Sequence, residues 1–218
     1  MITRRRITCS ILSALLLCSC SLLGPEVPQR LVRVKVLADV PFRARNPSWT
    51  EEARGLVEAA SDYYEREFGI RLVTQSVSAW PLTERIDSTP IILSMLQKKF
   101  PAGSRHDGYY DVIVSLTGEN TSRYSSAGRP RVDRIGDCQK GLSRYIVVPI
   151  GKTARYRGPN AEPDLDVVAL IHEIGHVFGA EHVDDTSSIM HESFGYRLEF
   201  DAKNRSIIKK NRACPFAK

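Results

Sequence analysis

Apolar and polar residues alternate along residues 31–40, "LVRVKVLADV", where Arg33 and Lys35 separate Val32, Val34 and Val36. A period of two predicts a strand. The period lengthens in residues 48–69, "SWTEEARGLVEAASDYYEREFG", where Leu56, Val57, Ala60, Tyr63, Tyr64 and Phe68 recur at helical spacing. Ser48 or Thr50 can cap this helix, Glu51 and Glu52 suit its N-terminal dipole, and Gly69 can close it. Residues 70–80 return to strand character, and residues 90–101, bounded by prolines, predict a short helix with Pro90 in its first turn. Residues 109–118, "YYDVIVSLTG", hold a short apolar strand of the buried kind, and residues 144–150 hold another. Between them, residues 118–141 are rich in Gly, Ser and Arg, which predicts a functional loop with an irregular edge strand inside it. A helix follows in residues 162–179, capped by Asp164, with Asp166 in its first turn and Gly179 at its end. A last helix starts at a capping Asp201 and ends in basic residues near 212. Strands alternating with helices predict an α/β (α+β) fold on a sheet that is at least partly parallel.

The first twenty residues, "MITRRRITCSILSALLLCSC", stand outside this pattern. Arg4, Arg5 and Arg6 precede an apolar run over residues 11–17, the layout of a secretory signal and too short to span a bilayer stably. The segment "LCSC" resembles a bacterial lipobox, which implies cleavage before Cys20 and acylation of that cysteine. Ser21 after it suggests outer-membrane sorting. The plainer alternative is signal cleavage without lipid. A lipidated Cys20 anchors a chain to a membrane without crossing it. Residues 21–30, "SLLGPEVPQR", have two prolines and little periodicity, as a tether does. The expected division is a signal over 1–19, a lipid-anchored tether over 20–30 and one domain over 31–218. The expected location is the outer membrane or its periplasmic side, or the secreted fraction if no lipid is added.

Composition narrows the partners. The 218 residues are 42% hydrophobic and 26% charged, a globular balance with room for one sizeable core. The net charge of +6 includes the three signal arginines, and without them it is near +3. No basic run is interleaved with aromatics, so nucleic acid is not an expected partner. Of five cysteines, Cys9 and Cys18 leave with the signal and Cys20 would carry lipid. Cys138 and Cys214 remain as one candidate pair for an oxidising compartment.

Three of the five histidines fall in eleven residues, "HEIGHVFGAEH", from His172 to His182. His172 and His176 are four apart and share one helix face, one turn apart. Two imidazoles so placed can bind one metal ion. Glu173 is turned about 100° away from His172, which suits a carboxylate that takes a proton from metal-bound water better than a ligand. His182 on a continuous helix would lie one to two turns past His176. Gly179 tolerates positive φ, so the chain can turn there and swing His182 back. Three neutral nitrogens suit one catalytic Zn2+ with a fourth position for water. The competing reading is three histidines covering a helix end, but five fixed positions arise by chance on the order of once in 10⁵ chains of this length. His106 and His191 read better as solvated loop histidines than as structural ligands. Asp184 and Asp185 could hold calcium, although such pairs more often serve turns.

These residues resemble the metzincin clan of zinc endopeptidases, whose pattern HExxHxxGxxH is met by His172, Glu173, His176, Gly179 and His182. The clan's methionine turn is matched by "SSIMH", with Met190 as an apolar floor beneath the ligands. The resemblance implies a metzincin-like, two-lobed domain. Residues 31–182 would form a twisted mixed sheet with two main helices. Residues 183–218 would form a small C-terminal lobe with the Met-turn and a terminal helix. An extended peptide would lie between them, paired with an edge strand from residues 118–141. The sequence looks most like the matrixin and reprolysin branches. Val183 after the third histidine matches none of the usual branch markers, Glu192 stands where two other branches have tyrosine, and no cysteine-switch propeptide precedes the domain. A disulfide near Cys138 and Cys214 recurs in reprolysins, so the resemblance implies that bond. The expectation is an exported zinc endopeptidase with Glu173 as general base. Its rivals are a non-catalytic zinc-binding surface lipoprotein and a zinc amidohydrolase acting on a non-peptide substrate.

Overall fold

The computed structural model describes residues 30–45, 47–80, 86, 88–102, 110–118, 131–150, 164–193 and 197–218. The expected signal, Cys20, nearly all of the tether, His106 and residues 119–130 of the expected loop lie outside the described residues. The elements are β1 (Arg30–Ala38), α1 (Val40–Arg45), α2 (Trp49–Phe68), β2 (Ile70–Ala79), α3 (Thr89–Lys99), β3 (Val112–Thr117), β4 (Tyr145–Pro149), α4 (Leu165–Val177) and α5 (Ala202–Asn211).

The four strands form one sheet in the order β2-β1-β3-β4, and every pairing between them is parallel. The only antiparallel pairing with these strands, among the described residues, is an isolated bridge between Val132 of the loop and Ile146 of β4; a second, Asp137 with Gly141, is local to the loop. A parallel sheet needs cover on both faces. Successive strand residues supply it by pointing to opposite sides. Val114, Leu116, Ile146 and Val148 enter the larger core with α2 and α4, while Ile113, Tyr145 and Val147 meet Leu93 and Leu96 of α3 on the other side. All six residues of β3 and all five of β4 are buried, including the polar Ser115 and Thr117 of β3.

The expected strand over 31–40 stops two residues early. Asp39 is buried, and its carboxylate accepts hydrogen bonds from Phe42 N at 2.7 Å and from Gly118 N at 3.0 Å. That carboxylate starts α1, which the alternating pattern conceals, and Pro41 in the first turn suits it. Gly69 closes α2 with φ at 67°, as expected from its position. Ser48 occupies the N-cap of α2 without a side-chain cap bond. Asp164 and Asp201 do cap, accepting from Asp166 N and Asn204 N.

α2 docks on α4 through aromatic contacts and one specific bond. The Tyr64 hydroxyl, fully buried, donates to Ile171 O at 2.8 Å, directly before His172. Tyr63, Tyr64, Phe68 and Phe200 form a cluster with ring centroids 5.4–6.2 Å apart. Ile189, Met190, Phe200 and Ile208 join the same core, so the C-terminal segment packs continuously with α2 and α4. No helix among the described residues is long and apolar enough to cross a membrane.

Candidate metal centre

α4 carries the first two histidines deep in the fold. Nearly every residue of this helix is buried, including His172, Glu173 and His176 at 3%, 3% and 5% exposure. The helix ends in a Schellman motif: Ala180 N donates to Gly175 O at 2.9 Å and Gly179 N to His176 O at 3.1 Å. Gly179 has φ at 95°, the left-handed conformation this motif needs. A Cβ at Gly179 would also sit 2.5 Å from Gly136 O and 2.6 Å from Asn211 Nδ2. The turn therefore needs glycine both for its conformation and for its neighbours.

Beyond that turn His182 comes back to the helix. The Nε2 atoms of His172 and His176 are 3.1 Å apart, and each lies 3.2 Å from Nε2 of His182. Ligand nitrogens at the usual zinc–nitrogen distance in a tetrahedral site are separated by about 3.3 Å, so this triangle fits one zinc ion. Among the described residues it is the only group of three or more metal-binding side chains with converging ligand atoms, and it contains no fourth ligand.

The tautomers are set from behind. His172 Nδ1 donates to Ile189 O at 2.6 Å, and His176 Nδ1 donates to Ala180 O at 2.7 Å. Both rings then present a lone pair at Nε2. His182 is half exposed, and its Nδ1 lies 3.9 Å from the Glu192 carboxylate. Burial pushes the His172 ring well below the ordinary imidazole range, brings His176 down to about 4 and lowers His182. Neutral rings at neutral pH are the form that binds metal.

Glu173 follows His172 on α4, and burial pushes its carboxyl up to about 7. Arg131 opposes that shift, with Nη1 3.5 Å from Glu173 Oε1 and only 10% of its side chain exposed. Arg131 O accepts from Val147 N at 2.7 Å, and Gly136 N donates to His176 O at 2.9 Å. The loop segment after residue 130 thus runs along β4 and closes against the end of α4. The sequence singled out this loop but not Arg131, because one arginine among several there carries no distinguishing signal.

Met190 is fully buried. Gly175 lets it approach, since a Cβ there would sit 2.9 Å from Met190 Sδ and 3.0 Å from Phe200 Cε1. Cys138 and Cys214 are joined in a disulfide, with Cα atoms 5.1 Å apart. Asp185 Oδ1 accepts from Ser187 N and Ser187 Oγ, which is turn chemistry. His191 Nδ1 accepts from Ser193 N in a local turn.

Two comparisons bear on the whole chain. The family model described as metallo-peptidase family M12 (Reprolysin_5) matches residues 28–217. The crystal structure of archaemetzincin from Methanopyrus kandleri superposes with a TM-score of 0.51 at 18% identity, over 87% of this chain and 98% of that one. At that identity the likeness concerns the fold alone.

Proposed function

The chain belongs to metallo-peptidase family M12, and from that premise we propose that it is a zinc-dependent endopeptidase with Glu173 as general base. One observation carries the reading: three Nε2 atoms lie within 3.2 Å of one another, with a buried carboxylate on the next residue. His172, His176 and His182 would hold the zinc, which when bound supplies a Lewis acid for a peptide carbonyl and makes water nucleophilic near neutral pH. The Glu173 carboxylate takes the proton of the attacking water and returns it to the leaving amine. Arg131 offsets part of the burial and so favours the ionised form of that carboxylate. Met190 and Gly179 support the ligands from below and behind.

The substrate is an extended peptide, paired with the loop segment around Val132 beside β4. It would lie between lobes divided near residue 182. The Cys138–Cys214 disulfide supports an oxidising location for the chain. With the basic and apolar start of the sequence, it favours export, and the lipobox-like "LCSC" favours a lipid anchor at Cys20.

The test is zinc content together with cleavage of casein, with and without a chelator. The reading predicts one zinc per chain, cleavage lost on chelation and cleavage restored by added zinc. Zinc without any cleavage would mean a non-catalytic binding protein. Hydrolysis confined to small amides would mean a non-peptide amidohydrolase.

A further inference from the structure

We propose that Asn204 and Asn211 of α5 are positioning residues for the third ligand, acting through the backbone of the turn that returns His182 to the helix. The inference rests on the reading of His172, His176 and His182 as zinc ligands. The two asparagines are seven residues apart, hence on one face of α5 two turns apart. Both are buried, Asn204 completely. Asparagine is a poor helix former, and a buried amide without partners is costly. Both find their partners in the segment from Phe178 to Glu181.

Asn211 Nδ2 donates to Phe178 O at 3.0 Å, just before Gly179. Asn204 Oδ1 accepts from Glu181 N at 2.9 Å, and its Nδ2 donates to Glu181 O at 2.9 Å. Both backbone groups of the residue preceding His182 are therefore held by one side chain. The amide orientation is fixed by its third bond, from Nδ2 to Asp201 Oδ2 at 2.8 Å, because a carboxylate oxygen there only accepts. Asp201 Oδ2 also accepts from Ser188 Oγ at 2.9 Å, and Ser188 Oγ accepts from Met190 N at 3.1 Å. Ile189, between those two residues, supplies the carbonyl that orients His172. One polar cluster at the start of α5 thus braces the methionine turn and the approach to His182.

His182 needs such bracing more than its partners do. His172 and His176 are fixed by a buried helix, whereas 45% of the His182 side chain is exposed. Packing, mainly against the other two imidazoles, holds that ring less firmly, so its position depends more on the backbone on either side. Asn204 fixes Glu181, and Val183 N donates to Met190 O at 3.2 Å. Without Asn204 the ligand would be ordered only on metal binding, and zinc affinity would fall by that cost.

The experiment measures zinc affinity by chelator competition for the parent, Asn204→Ser, Asn211→Ala and Ser61→Ala, with folding of each metal-free protein checked by circular dichroism. Ser61 is a buried side chain remote from the turn, where its Oγ accepts from Leu72 N, and serves as a stability control. The expected loss is about tenfold to a hundredfold for the asparagine variants, the range for residues that orient ligands. Ser61→Ala should lower the melting temperature and leave affinity at the parent value. In a His182→Ala background, Asn204→Ser should cost clearly less affinity than in the parent, since its route through Glu181 is gone and only the one through Asp201 and Ser188 is left. Folded asparagine variants within twofold of the parent would overturn the proposal, as would a full additional loss in the His182→Ala background. Asn211→Ala leaves every Asn204 bond in place, so it decides the matter if Asn204→Ser fails to fold. If the parent itself takes up no zinc, the proposed function fails first; if the parent binds and the variants bind equally, only the asparagine clamp falls.

Discussion

At the smallest scale the proposed chemistry rests on Glu173 and Arg131. Glu173→Gln keeps the shape of the side chain and removes the base. It should retain zinc and lose activity by about 10²-fold or more, the usual worth of a positioned base; full activity in the zinc-loaded variant would remove Glu173 from its role. Burial alone drives the Glu173 carboxyl up, and Arg131 is the group that draws it back. Arg131→Met should therefore shift the acid limb of the activity profile to higher pH, because the carboxylate must be ionised to accept a proton. An unmoved limb would mean that Arg131 does not act on Glu173. The imidazoles shift the other way. All three are lowered from 6.5, His176 to about 4, so protons compete for them only at a more acid pH than for exposed histidines. Zinc affinity should stay level from pH 8 to below 6.5. A steep fall beginning at 6.5 would show that the rings titrate as if exposed. The ligand spacing was readable from the sequence because it is local to one helix and one turn. Arg131 was not, since its nearness to Glu173 depends on a loop segment that runs along β4.

Among the elements, the turn after α4 is constrained both in conformation and in space. Gly179→Ala would force an unfavourable φ and drive a methyl group into Gly136 O and Asn211 Nδ2. The strain alone is worth about 1–3 kcal/mol, and the displaced turn should lower zinc affinity as well as stability. Denaturant unfolding and chelator competition on the same variant would check both; a loss of stability with parent-like affinity would separate the turn from the metal. The disulfide links the loop segment to the end of α5 across 76 residues. Replacing both cysteines by serine should cost about 2–4 kcal/mol, measured by denaturant unfolding of the parent and the variant. The capping aspartates at 164 and 201 and the glycine stops at 69 and 179 were readable because caps depend on neighbours in sequence. α1 was hidden because Asp39 caps it while also bonding to Gly118, a partner 79 positions away. The role of α5 was hidden for a related reason. Two asparagines seven apart signal a need for partners, but not which carbonyls supply them.

At the level of the molecule, a parallel sheet covered by α2 and α4 on one face and α3 on the other holds the ligand helix in place. The alternating strands and helices were enough to predict that class. The pairing direction of the loop was not, because residues 118–141 lack periodicity and the described part, 131–141, takes its place from β4 and the end of α4. The C-terminal segment is tied into the same core by Met190, Phe200 and Ile208, so the site is assembled from parts far apart in the chain. The claim on which the account depends is that one zinc ion sits on three imidazoles with no fourth protein ligand. Zinc-edge X-ray absorption on the purified protein addresses it directly. The account predicts one zinc per chain with three nitrogen ligands and one oxygen from solvent, reduced to two histidine nitrogens in His182→Ala. A domain that binds no zinc, or a spectrum unchanged by His182→Ala, would contradict it.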